Sequence, residues 1–199
     1  MAFEVEIKAR LAHPEATEAA AKAIGEFRGE TIKEDVYFRR AGDTDRIPAM
    51  RYRLRREAGR AVVTFKQTVA AAAVEVNEEV EFTVDDPRAF FRFAHYTGAE
   101  PFVVKHKISR VYRVGRANVE INLVRHVGHF TEIEILCATK AEIPAARLEI
   151  SQVLARLGLD AHDVEPRRYI DLIQTAHPVR YRYNPASQAD WPFEEIATS

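Results

Sequence analysis

The chain has 199 residues, of which 47% are hydrophobic and 30% charged, and a formal net charge of −1. That length suits one domain, and the near-neutral balance excludes a global field that would draw nucleic acid or an acidic membrane surface. The single cysteine, Cys137, excludes an internal disulfide; no Cys/His spacing marks a zinc site, and no apolar run is long enough to span a bilayer. An N-terminus unlike a signal peptide adds the expectation of a reducing, cytoplasmic setting.

In chain order, FEVEIK (3–8) alternates Phe3, Val5 and Ile7 with Glu4, Glu6 and Lys8, which predicts a strand with one apolar and one charged face. HPEATEAAAKAIGEF reads as a helix, with Pro14 in its first turn and Gly25 as its stop. KEDVYFRR (33–40) is a strand, followed by a polar loop. MRYRLRRE (50–57) and RAVVTFKQ (60–67) flank Ala58-Gly59 as a hairpin, and VEVNEEVEFTV (74–84) alternates again. Asp86 caps a helix that has Pro87 at its first position and Gly98 at its end. Strands follow at 103–114, 118–124 and 129–136, then helices at 142–159 and 165–176. The domain is expected to span 1–176. The tail, 177–199, lacks periodicity and is expected to be loosely ordered, or docked through Tyr181, Tyr183 and Trp191. Helices inserted between runs of strands make an α+β pattern.

The charged faces are segregated by sign. Arg51, Arg53 and Arg55 share one strand face, and Lys105 and Lys107 another; Glu75, Asn77, Glu79 and Glu81 share a third, and Glu132 and Glu134 a fourth. One wet face of an antiparallel sheet explains any single strand. For the whole set, a barrel with a charged interior gives the segregation a use, because cationic walls hold an anion and acidic walls hold metal ions.

The order of these segments resembles the CYTH family of triphosphate tunnel metalloenzymes. Glu4-Val5-Glu6-Ile7-Lys8 matches its opening ExExK signature. EDVYF, RLRR, VTFK, NEEVEF, KHKISRVYR and INLVRHVGHFTEIEI follow in the family's order. VEPRRYIDLI is similar to the ending of the class IV adenylyl cyclase branch, including its archaeal-type members. The resemblance implies an eight-stranded antiparallel closed barrel, a tunnel with a charged interior and helices packed outside.

The resemblance also implies a chemistry. Glu4, Glu6 and Glu134 would bind Mg²⁺ or Mn²⁺, with Glu132 as a same-face neighbour. Lys8, Arg53, Arg55, Lys66, Lys105, Lys107 and Arg110 would bind a triphosphate, with either Lys107 or Arg110 taking one position unless a bulge admits both. Lys66 and Tyr37 match the pair that helps activate water in hydrolytic relatives. Asn122 stands where many members carry Asp, and it cannot act as a base. Three functions stay open: cyclisation of ATP to cyclic AMP and pyrophosphate, hydrolysis of tripolyphosphate, thiamine triphosphate or a nucleotide, and non-catalytic polyphosphate binding. A homodimer is compatible with the resemblance, though no segment demonstrates it. His95, His106, His126 and His129 read as solvated or packed side chains.

Overall fold

The structure, a computed structural model, describes residues 3–46, 48, 51–70, 75–187 and 189–197, the side chains of 66–70 and 75–79 excepted. Eight strands form one antiparallel sheet: β1 (Phe3–Arg10), β2 (Glu26–Arg40), β3 (Arg51–Glu57), β4 (Arg60–Ala70), β5 (Glu75–Thr83), β6 (Ala99–Val114), β7 (Ala117–Val124) and β8 (Gly128–Cys137). Their spatial order is β1-β5-β4-β3-β2-β6-β7-β8. The sheet curls strongly, and β1 bonds to β8 along its whole length and to β5 through residues 3–6.

Local chemistry sets the ends of these elements. Ala58 and Gly59, with φ of 48° and 77°, make the two-residue turn that matches the twist of β3 and β4. Helix α1 (Pro14–Ile24) stops at Gly25, where a Cβ would lie 2.7 Å from Val114 Cγ2 and 2.8 Å from the Arg113 carbonyl. Only glycine lets the chain pass that close to β6. Helix α2 (Pro87–Tyr96) starts at Asp86, whose side chain accepts from the Arg88 and Ala89 amides.

Period-two alternation puts apolar residues of β1, β2, β3, β4, β7 and β8 on the convex side, under helices, whereas Val80 and Phe82 of β5 are exposed. Val5, Ile7, Val119, Ile121, Ile133 and Ile135 are buried beneath α1 and α3 (Ile143–Arg156), and Cys137 lies in the same core. Val36, Phe38, Leu54 and Val63 pack against Phe91 and Ala94 of α2. A third cluster joins Phe102, Val103, Val124 and Phe130 to α4 (Tyr169–Ala176), which lies across one end of the sheet.

Element bounds differ from the sequence reading in several places, among them β6, which starts at Ala99, and α4, which starts at Tyr169. β2 begins at Glu26 rather than Lys33, because residues 26–32 pair with β6 alone and carry no clean alternation. In the tail, β9 (Val179–Tyr183) and β10 (Phe193–Ala197) pair as a hairpin. Trp191, 7% exposed, packs on Phe91 with ring centroids 5.3 Å apart and lies under the Arg56 guanidinium. Burying an indole ties the hairpin to the domain.

Candidate active site

The other half of the alternation faces inward. The concave side encloses a cavity of about 190 Å³, walled on one flank by carboxylates of β1 and β8 and on the other by cations of β2, β3 and β6.

Register builds the acidic corner. Glu6 stands opposite Glu134 across β1 and β8, and Glu4 lies two residues along the same face. One carboxylate oxygen from each of Glu4, Glu6 and Glu134 lies within 4.8 Å of the others, and Glu4 is only 8% exposed. Three hard oxygen donors on rigid strands suit Mg²⁺ or Mn²⁺, so this residue set fits the ion expected. Glu132 lines the same cavity but is engaged elsewhere: it accepts from Lys107 Nζ at 2.5 Å and from Asn122 Nδ2 at 3.0 Å. Burial alone would raise the Glu132 pKa, but Lys107 holds it below its usual value.

The basic wall is organised by Asp35, which is completely buried. Arg55 donates to its two oxygens from Nε at 2.7 Å and Nη2 at 3.0 Å. Lys105 Nζ lies 2.8 Å from Asp35 and Arg53 3.9 Å from it, and the Tyr37 hydroxyl donates at 3.5 Å. Burial alone would push Asp35 up, but Arg55, Lys105 and Arg53 hold it well below the usual carboxylate range. Tyr37 follows the same logic: burial opposes ionisation, and Lys105, Arg53 and Arg55 outweigh it to lower the phenol below 10.

Lys107 is buried in a second network. Its ammonium bonds Glu120 at 2.6 Å and Glu132 at 2.5 Å, and Glu120 also receives Lys33 at 2.7 Å. Arg110 is a correction: it does not reach the concave side. Its parity on β6 is opposite to that of Lys105 and Lys107, and the pairing of β6 with β7 is unbroken from Lys107 to Val114. Arg110 therefore sits on the convex side, 2.6 Å from Glu18 of α1.

At the α4 end, the chain between α3 and α4 folds back onto β1. Ala9 bridges Val164, and Glu165 bonds Arg10 at 2.8 Å and Arg167 at 2.7 Å. These bonds, led by Arg167, hold Glu165 down at about 2. Lys8 Nζ donates to the Arg167 carbonyl at 2.5 Å and lies 4.7 Å from the centre of the Tyr169 ring, with Lys105 5.1 Å from the same ring. Burial, then Glu132 and Glu6, push the Tyr169 phenol well above 10.

The sequence reading gave no site role to Asp35, Lys33, Glu120 or Tyr169. Strand parity offers a signal for three of them, since Lys33, Asp35 and Tyr37 alternate on β2 and Glu120 and Asn122 on β7. The Lys66 side chain falls outside the described residues. None of His95, His106, His126 and His129 is among the residues lining the cavity; His126 instead stacks on His177 with ring centroids 3.9 Å apart.

Comparison with known proteins agrees with this geometry. The CYTH domain model matches residues 2–169. The protein MJ0240 of Methanocaldococcus jannaschii, provisionally named an adenylate cyclase, is 24% identical over 171 residues, covering 85% of this chain and 98% of its own. The solved PH1012 protein of Pyrococcus horikoshii OT3 is similar with a TM-score of 0.74 and 28% identity, covering 85% of this chain and 98% of that one. The Hippeastrum protein HpAC1, provisionally named an adenylyl cyclase and described as having a dominant triphosphatase activity, shares the fold at a TM-score of 0.57 and 18% identity, covering 82% and 90%. With the family model spanning the whole curled sheet and the helices packed on its convex side, the chain belongs to the CYTH domain family.

Proposed function

We propose that the chain is a divalent-metal-dependent enzyme that cleaves a triphosphate inside a closed, charged tunnel formed by the curled sheet. One observation carries this reading: a single cavity has a carboxylate corner at Glu4, Glu6 and Glu134 and a cationic wall at Arg53, Arg55 and Lys105. A polyanion with divalent cations matches both sides of that cavity at once.

When bound at the carboxylate corner, Mg²⁺ or Mn²⁺ would neutralise phosphate charge and act as a Lewis acid. The chain's own residues do the rest. Arg53 and Arg55 offer N–H groups in a fixed plane to phosphate oxygens, and Lys105 adds a point charge. Lys8, Arg51 and Arg168 line the same space and extend the basic surface along the phosphate chain. Tyr37, with its phenol below the usual range, is placed to orient the attacking hydroxyl or to take its proton. Lys66, in VTFK, is paired with Tyr37 in this role by the family resemblance. Phosphoryl transfer asks mainly for such positioning and charge neutralisation.

Hydrolysis is the reading we put first, because most of the residues lining the cavity are charged and suit a phosphate chain. Cyclisation of ATP is the second reading, supported by the VEPRRYIDLI ending and by the name of MJ0240. The test is product identification after incubation with Mg²⁺ or Mn²⁺ and, in parallel, tripolyphosphate, thiamine triphosphate or ATP. Orthophosphate release supports hydrolysis, and cyclic AMP with pyrophosphate supports cyclisation. Binding without turnover of any of the three would leave a polyphosphate-binding module.

A further inference from the structure

Two charge networks face the same cavity, and they differ in arrangement. In one, Lys107 lies between Glu120 and Glu132, while Lys33 lies 2.7 Å from Glu120 and 3.8 Å from Glu57. In the other, Arg55, Lys105 and Arg53 gather within 4 Å of Asp35. The cations of the second network line the cavity, whereas Asp35 lies behind them and is completely buried. Arg55 spends Nε and Nη2 on Asp35, which fixes the plane of its guanidinium and the direction of its remaining N–H groups.

We propose that Asp35 is the positioning residue of the phosphate-binding wall: from behind the cavity surface it holds Arg55, Lys105 and Arg53 as one array, in the register a phosphoryl group would meet. This inference rests on the triphosphate reading. It follows that Asp35 and the bound phosphoryl group share the same cations. Removing the carboxylate charge leaves the array hungrier for an anion but badly registered for reaction.

The experiment uses the full chain with inorganic tripolyphosphate as the probe, read by calorimetric affinity without metal, by thermal melting, and by kcat and KM with Mg²⁺. Asp35→Asn is expected to melt lower than wild type when ligand-free. It is expected to gain more than wild type does when tripolyphosphate is added, and to bind the probe at least as tightly. Its kcat is expected to fall by about tenfold or more. Asp35→Glu, which keeps the charge and moves it by one methylene, covers the case where the Asn variant fails to fold: kcat falls by about tenfold with affinity within about threefold. Weaker binding in step with lost stability, or an unchanged kcat in the variants that fold, overturns the proposal. Wild-type protein that neither binds nor cleaves tripolyphosphate or ATP removes instead the reading on which it rests.

Discussion

Glu6 and Glu134 face each other across β1 and β8 as register partners of like charge, with Glu4 beside them on the same face. Like charges directly opposite on a sheet cost stability. Their convergence makes sense where a divalent cation is shared between them.

The first prediction follows from that cost. Glu6→Gln or Glu134→Gln is expected to lower metal-dependent turnover by at least about 100-fold, as loss of a ligand exceeds loss of an outer-sphere partner. Without metal, the same variants are expected to melt at or above the wild-type temperature. A lower metal-free melting temperature would contradict the assignment, because it would mean that the carboxylates stabilise the fold without an ion.

Lys107 separates structure from binding. Glu120 and Glu132 both depend on it, and burial, although it opposes the charged form, is outweighed by the two carboxylates, which raise the Lys107 pKa. Lys107→Met takes the bonded cation from Glu132, which keeps only the Asn122 amide, while Glu120 keeps Lys33, and it is expected to destabilise the protein by about 3 kcal/mol. Urea unfolding of wild type and variant measures this directly, and a loss below about 1 kcal/mol would show that the network relaxes onto water.

Arg110 supplies the contrast to Lys105. Because strand parity puts it against Glu18 on α1, Arg110→Met is expected to leave tripolyphosphate affinity within about twofold of wild type. Lys105→Met is expected to weaken that affinity by about tenfold or more. Equal losses in the two variants would show that parity does not decide which cations reach the ligand.

Acid sensitivity is predicted at the α4 end. Glu165 drops from the usual 4.5 to about 2 in the folded state, chiefly through Arg167, so its contribution is complete above about pH 4.5 and is lost as pH falls toward 2. The stability gap between wild type and Glu165→Gln is therefore expected to narrow between pH 5 and pH 2. Denaturant melts at several pH values check this, and a gap that stays constant across the range would show that the Arg10–Glu165–Arg167 bonds do not persist in solution.

The hairpin after α4 offers a stability test. Trp191→Ala removes the indole packed on Phe91 and is expected to cost about 3 kcal/mol, and to raise proteolytic cleavage after residue 176. An unchanged melting temperature would mean that the tail contributes no stability.

Much of this architecture was legible in the sequence because strand alternation is a local signal. Glu4, Glu6 and Lys8 announce one inward face, and Arg51, Arg53 and Arg55 another, before any partner strand is known. What stayed hidden depended on register and on contacts far apart in the chain. Asp35 becomes a hub only when Arg55 from β3 and Lys105 from β6 flank it, and no local pattern states that pairing. The sequence leaves Lys107 and Arg110 as alternatives, because it does not say whether a bulge separates them; the β2–β6 irregularities fall at residues 27–29 and 37–38, away from the segment between Lys105 and Arg110. Tyr181, Tyr183 and Trp191 mark the tail as able to dock, but the pairing of β9 with β10 leaves no periodicity in the sequence from which to read it.

The most direct measurement is anomalous diffraction from crystals soaked with Mn²⁺ and tripolyphosphate. The expected map has manganese among Glu4, Glu6 and Glu134, with phosphate density reaching across the cavity to Arg53, Arg55 and Lys105. Manganese and polyphosphate bound only on the convex surface, with the inner carboxylates and arginines untouched, would contradict a charged interior built to hold a metal-bound polyanion.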